Sequence, residues 1–357
     1  MTKSNLSKQK DPFDSNKLPL ASIIITNYNY EKFLLRAIDS ALRQTYPKKE
    51  IIVVDDGSTD SSRQIINSYG NKIIPVFKEN GGGNAATNTG FFASHGEIIF
   101  LLDSDDSFFP HKVETMVNYF LQIMPQNPET LIFHRFEIRT NDENSPSFYR
   151  PRTLRGLDGK KKNNTFEKLS DPESAYQHVR KWGFLPLTNY PTSSISVTRS
   201  LADKIFPLPE QRILSQDGPL FYASRLLGTV YGTSEVLGSY FFHGKNKSIP
   251  LDWSIRINRY SILDNFLNGI LEKINKERAF SFLESRYART YYRDSGLIKG
   301  LLKLAYKVPA RYFCLEAIWF SIKTLWLCLN FVLGIKKKPR RTKKAMAVKE
   351  TLRKQHS

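Results

Sequence analysis

The sequence predicts an α/β fold built on a sheet with parallel pairs. Three observations predict it. Short continuous apolar runs recur through the first hundred residues, each the length of a buried strand. Segments with apolar residues at helical spacing lie between them, joined by short breakers, the alternation that parallel strands and right-handed crossovers require. Every run also stops at polar residues: Asn27, Asp55 and Asp56, Glu79 and Asn80, Asp103 and Asp105.

The elements follow in order. Ala21–Thr26 (ASIIIT) is a buried strand. Glu31–Gln44 carries Phe33, Leu34, Ala37, Ile38, Ala41 and Leu42 at helical spacing and ends before Pro47. Glu50–Val54 is a second strand, closed by Asp55-Asp56-Gly57, and Ser58–Tyr69 is a helix. Ile73–Phe77 is a third strand, broken by Asn80-Gly81-Gly82-Gly83. Ala85–Ser94 is a helix of small residues, and Glu97–Leu102 a fourth strand. Residues 140–172 are polar, with Lys160, Lys161 and Lys162, and read as a long loop. Asn189–Thr198 returns to structure, with alternation at Ser194-Ile195-Ser196-Val197. Asp217–Leu227 reads as a helix, Glu235–Phe242 as a strand, and Asp252 to about Leu333 as helical.

Composition bounds the function. The chain has 357 residues, 40% hydrophobic and 24% charged, enough for a sizeable core. Its two cysteines, Cys314 and Cys328, exclude a disulfide framework and a cysteine-rich zinc module. The polar N-terminus has no apolar stretch of the kind a signal peptide needs, so a cytosolic compartment is expected. The net charge of +19 is uneven. Arg286–Ser357 holds 18 Lys and Arg against three acids, so the first 285 residues are nearly balanced. Such a tail seeks an anionic partner.

In open α/β sheets ligands bind beyond the carboxyl ends of the strands, so the polar strand ends converge on one rim. Asp103-Ser104-Asp105-Asp106 places three carboxylates in four residues. They repel one another unless a cation is present, and oxygen ligands suit Mg²⁺ or Mn²⁺. The same residues also make a solvated acidic turn or helix cap. Asp55-Asp56-Gly57-Ser58 suits a ribose or base edge, or a simple capped turn. Thr26-Asn27-Tyr28-Asn29 offers polar groups beside an aromatic face, a seat for a nucleobase or ordinary packing. No G-x-G-x-x-G follows the first strand and no P-loop motif occurs, which disfavours dinucleotide and P-loop nucleotide binding.

Four stretches carry a resemblance: Ala21–Tyr30, Ile51–Asp60, Asn80–Gly90 and Leu101–Asp106. In this order and spacing they resemble glycosyltransferase family 2, over about residues 20–250. The resemblance implies a GT-A fold, a Rossmann-like mixed sheet flanked by helices. It also implies inverting transfer from a nucleotide-diphospho-sugar. Carried over, Asp56 holds the base, and Thr26 and Tyr28 line its pocket. Asp103 and Ser104 contact the ribose or sugar, and Asp105 binds the metal, Mn²⁺ or Mg²⁺, that bridges the diphosphate. Asn84 and Asn88 face the donor from the glycine-rich helix. Asp217, in Gln216-Asp217 where Glu-Asp is common, is the catalytic base; as a bare sequence feature it is equally an N-cap acid. His243 resembles a late family histidine near the metal or diphosphate, and a structural role remains open for it.

Residues 312–335 carry two charges, Glu316 and Lys323, and read as an amphipathic helix. Lys336–Lys344 then has seven basic residues in nine. With Trp319, Phe320, Trp326 and Phe331 adjacent, 312–344 favours an anionic membrane surface over nucleic acid. The expected organisation is a leader (1–19), a catalytic domain (20–250), a helical C-terminal region (251–335) and a basic tail (336–357). The expected enzyme is peripheral to the cytoplasmic face of a membrane and has a glycan or lipid-linked acceptor. A non-catalytic, membrane-associated glycan- or nucleotide-sugar-binding protein is the alternative.

Overall fold

The computed structural model describes residues 18–140, 165–183, 185, 191–212, 214–243 and 253–280. The chain divides into two compact units, Met1–Arg289 and Thr290–Ser357, and the described residues all belong to the first. The expectations for most of the leader, for 281–335, for the basic tail and for the membrane segment 312–344 lie outside the described residues. Among the described residues no helix is long and apolar enough to cross a membrane.

The first half alternates as its apolar runs dictate. β1 (Ala21–Asn27), β2 (Lys49–Asp56), β3 (Ile74–Lys78) and β4 (Ile98–Asp103) pair in parallel in the order β3-β2-β1-β4. They are connected by α1 (Glu31–Leu42), α2 (Ser62–Ser68) and α3 (Gly83–Phe92). α2 starts four residues later than its sequence pattern, because Gly57–Ser61 are spent on the turn described below.

Next come β5 (Ser107–Phe108), α4 (Lys112–Ile123), β6 (Thr130–Thr140), β7 (Phe166–Ser170), α5 (Pro172–Trp182) and β8 (Ile195–Thr198). α6 (Arg199–Ile205), α7 (Asp217–Leu227), β9 (Thr229–Phe242) and α8 (Trp253–Lys273) complete the described chain. β8 joins β4 antiparallel, so the sheet is mixed, and it continues β8-β6-β9 with β5 and β7 both pairing β9. This is an α/β fold, a mixed sheet flanked by helices.

Strand parity builds two cores. Ile24, Ile52, Val54, Ile99 and Leu101 face α3, α5, α6, α7 and α8. Ile23, Ile25, Val53, Phe100 and Leu102 face α1, α2 and α4. Central strands covered on both sides therefore read as continuous apolar runs. Leu263, Leu267, Ile270 and Leu271 of α8 belong to the first of these cores, so that helix packs with α3, α5, α6 and α7.

Two expectations are corrected. Residues 166–172, read as loop, hold β7 and the start of α5. β7 exposes Glu167, Lys168 and Leu169 at the sheet margin, and charged edge strands look like loops in sequence. α5 is entered through a capping box, Asp171 with Ser174, and Pro172 in its first turn. β9 begins at Thr229, six residues before the expected Glu235; Gly232, which weakens the strand signal, stands where a Cβ would collide with the Phe133 ring of β6.

Candidate functional site

The clusters after β1 and β2 form a single structure. Asn27 and Asp55 are cross-strand partners in register, and Asn27 Nδ2 donates to Asp55 Oδ1 (3.1 Å). Asp55, fully buried, also accepts from the Ser58 amide (3.1 Å) and from Arg63 Nε (3.0 Å). Ser58 Oγ accepts from the Asn29 amide, and Asn29 Oδ1 from the Thr59 amide. Asn29 takes a positive φ of 57°, which Asn tolerates. The two loops are thus zipped together, and Tyr28 is left 40% exposed at their crest.

Asp56 is 2% exposed. Its Oδ1 accepts from Lys78 Nζ (2.8 Å) and the Gly81 amide (2.9 Å), and its Oδ2 from the Gly82 amide (2.7 Å). Asn80 Nδ2 closes on its carbonyl (3.0 Å). The glycine run therefore wraps the protein's own carboxylate, and Asp56 builds a wall of the rim. Beside it Gly57, Arg63, Phe77, Lys78, Glu79 and Asn80 line an open cavity of about 490 Å³. Thr26 and Tyr28 are not among its lining residues. Gly57 takes a φ of +76°, and a Cβ there would meet the Asn80 amide nitrogen at 2.8 Å.

Asn84 and Asn88 are buried and turned to a neighbouring segment. Asn84 Nδ2 donates to the Pro209 carbonyl (2.6 Å). Asn88 Nδ2 donates to the Leu208 carbonyl (2.9 Å) and to Glu210, and the Leu208 amide donates to Asn88 Oδ1 (2.8 Å). Arg212 Nη2 adds a bond to the Asn80 carbonyl (2.7 Å). The expected donor-facing role is replaced at Asn88 by a strap that lashes 208–212 across α3. That strap leads into α7. At its N-terminus Gln216 packs on Gly83 and reaches Thr26 Oγ1 at 3.5 Å. The ends of β1, α3 and α7 thus meet, with Asp217 next in chain after Gln216. Burial raises the Asp217 carboxyl above its ordinary range, against the pull of Ser215 and Arg259.

The acidic turn is the chemical centre. Asp103, Asp105 and Asp106 each bring a carboxylate oxygen within 4.8 Å of the others. Asp103 and Asp105 are partly exposed; Ser104 and Asp106 are buried. Asp106 accepts from Ser193 Oγ (2.6 Å) and the Phe241 amide (3.1 Å). Burial, then repulsion from Asp105 and Asp103, pushes its carboxyl well up. His243 Nε2 lies 3.1 Å from Asp105 Oδ2, so the structure brings the two expected metal ligands together. The imidazole is stacked on Phe33 (4.6 Å between centroids) and flanked by Phe241 and Tyr30. Arg36 Nη2 donates to the Asp105 carbonyl (2.6 Å), and its guanidinium lies 4.3 Å over the Phe241 ring. Clustered carboxylate oxygens that repel one another, beside an imidazole, fit a hard divalent cation.

Sequence reasoning missed Tyr30, Arg36, Lys112 and Ser193. Burial and then Asp105, Asp103 and Asp106 hold the Tyr30 hydroxyl well above its usual range, which places it beside the acids. Its signal was its place at the end of the first motif. Lys112 is fully buried, and burial lowers its ammonium well below its ordinary range while Asp106 opposes that shift. A lysine inside the helical pattern of α4 gives no such signal in sequence.

The chain is similar to known proteins in sequence and in fold. Residues 22–177 match the family model "Glycosyl transferase family 2". An uncharacterized glycosyltransferase of Nostoc sp. is 34% identical over 63% of this chain and 65% of its own length. One of Rickettsia prowazekii is 41% identical over 79% of this chain and 82% of its own length. The chain thus spans slightly under two thirds of the Nostoc relative and most of the Rickettsia one. In three dimensions it is similar to S. aureus TarS 1–349, with a TM-score of 0.50 and 16% identity, over 80% of this chain and 77% of that one. The fold is GT-A, and the chain belongs to glycosyltransferase family 2.

Proposed function

We propose that this chain transfers a sugar from a nucleotide-diphospho-sugar to a glycan or lipid-linked acceptor by single displacement with inversion. The observation that carries the reading is the pairing of Asp105 with His243 inside the acidic cluster, on the rim that the N-terminus of α7 also reaches through Gln216. The nucleotide lies against Thr26, Tyr28 and the wall that Asp56 orders. Asp103, Asp105 and His243 are the residues that would hold Mn²⁺ or Mg²⁺. The cation's chemistry there is to neutralise the diphosphate as it leaves.

Asp217 takes the proton of the acceptor hydroxyl as that oxygen attacks the anomeric carbon, and the diphosphate departs from the opposite face. Its raised carboxyl supports the role, because a desolvated carboxylate is a stronger base than one in water. Residues 312–344 hold the enzyme at an anionic membrane surface on the cytoplasmic side, where a lipid-linked acceptor is presented. Flotation of the full chain, and not of one ending at 311, with anionic vesicles tests that part.

The central test is calorimetric titration of nucleoside diphosphates and their sugars, with and without Mn²⁺. Metal-dependent binding of one nucleotide is the expected result. Folded protein that binds none of them overturns the reading.

A further inference from the structure

We propose that Ser193, seated by Lys112, is a positioning residue that fixes the acidic turn and the His243 strand end in the geometry needed to hold a divalent cation. The inference rests on reading that turn as the cation seat.

Ser193 belongs to the short 3₁₀ turn Thr192–Ser194 ahead of β8 and is fully buried. Its hydroxyl serves both ends of the acidic turn. It accepts from the Asp103 amide (3.0 Å) and donates to Asp106 Oδ2 (2.6 Å). The turn's own backbone closes the same span, Asp106 N donating to the Asp103 carbonyl (3.0 Å). The other oxygen of Asp106 accepts from the Phe241 amide, two residues before His243. One hydroxyl therefore links, through Asp106, the turn that carries Asp105 to the strand end that carries its partner imidazole.

Lys112 fixes the hub from below. Its Nζ donates to the Ser193 carbonyl (2.7 Å) and lies 3.2 Å from the centroid of Phe108 and 5.9 Å from that of Phe100. Packing alone gives no reason for an ammonium here. A buried charge is costly and an apolar chain of the same length fills the space without that cost. A directed donor to the hub's carbonyl is what methionine cannot supply. Groups that orient metal ligands from behind typically change metal affinity 10–100-fold when removed.

The test uses the full chain, Mn²⁺ alone as the probe, and loss of the free aquo-Mn²⁺ electron paramagnetic resonance signal as the readout, with thermal melting in parallel. Ser193→Ala and Lys112→Met are expected to weaken Mn²⁺ binding by about 10-fold or more. Ser193→Thr, which keeps the hydroxyl, is expected to stay within about threefold of wild type. Ser196→Ala is the control, because that buried hydroxyl has no hydrogen-bond partner among the described residues. Should Ser193→Ala melt below the assay temperature, Ser193→Cys carries the same expectation, since a thiol is a weak donor. Wild-type affinity in folded Ser193→Ala or Ser193→Cys, or no rescue by threonine, overturns the inference alone. A wild-type chain that binds no Mn²⁺ overturns the cation seat as well.

Discussion

Asn88 separates two readings of the glycine-rich helix. If its amide faced the sugar donor, Asn88→Ala would weaken nucleotide binding and leave stability nearly unchanged. In the structure the amide instead satisfies both the N–H and the carbonyl of Leu208, a buried residue, and adds a bond to exposed Glu210. Alanine strands two buried backbone groups at about 1–3 kcal/mol each, so a loss of about 3 kcal/mol is expected. In a domain of this size that lowers the melting temperature by about 6–12 °C. Asn84→Ala breaks one bond, to the Pro209 carbonyl, and should cost about half as much. Scanning calorimetry with nucleotide titration at a temperature where both variants stay folded measures the two quantities together. An unchanged melting temperature with tenfold weaker nucleotide binding would refute the strap and restore the donor contact.

Asp217→Asn should abolish transfer while nucleotide affinity stays within about threefold; residual wild-type turnover would remove Asp217 as the base. Because burial raises this carboxyl, the folded state holds its proton more tightly than the unfolded chain. Stability from this group is present below the unfolded-state value and is lost as pH rises through the folded one, so Asp217→Asn should melt higher than wild type at pH 7 but not at pH 3. The acid limb of the activity profile should lie above the ordinary carboxylate range for the same reason. His243→Ala should weaken Mn²⁺-dependent nucleotide binding about tenfold and leave metal-free binding unchanged. Gly57→Ala should cost about 2 kcal/mol or more, since an L residue strains at its φ of +76° and the Cβ meets the Asn80 backbone; a melting temperature within 2 °C of wild type would contradict this.

The parallel half of the sheet was legible because its strands are covered on both faces. Ile23, Ile24 and Ile25 feed opposite cores, so the run carries its own strand signal. The antiparallel half was harder to read because its signals are mixed. β7 sits at the margin with charged residues outward, and β8 alternates isoleucine and valine with Ser196 and Thr198 although all four of its residues are buried. Alternation implies a wet face, yet β8 lies between β4 and β6 and hides Ser196 and Thr198. Among the site residues, Asp105 and His243 were found by pattern, and the structure brings them within 3.1 Å of each other. Ser193 and Lys112 were not found, because a buried serine and a buried lysine act through partners 81 to 90 positions away.

The acids of the motifs divide by how fully the protein itself uses them. Asp55, Asp56 and Asp106 are buried and accept two or three hydrogen bonds each from fixed donors. A carboxylate bonded in this way cannot take a new partner without stranding the old ones, and each stranded group carries a cost of its own. Asp103 and Asp105 are partly exposed and their carboxylate oxygens lie within 4.8 Å of one another, so a cation relieves repulsion already present there. Asp217 is different again, a carboxyl raised by burial at the head of a helix. One residue type therefore does three jobs in one rim. The buried acids shape loops, the clustered acids repel one another, and the desolvated Asp217 holds its proton more tightly than an acid in water. Substituting the first group should register in melting temperature before catalysis, and substituting the other two should register in catalysis before melting temperature.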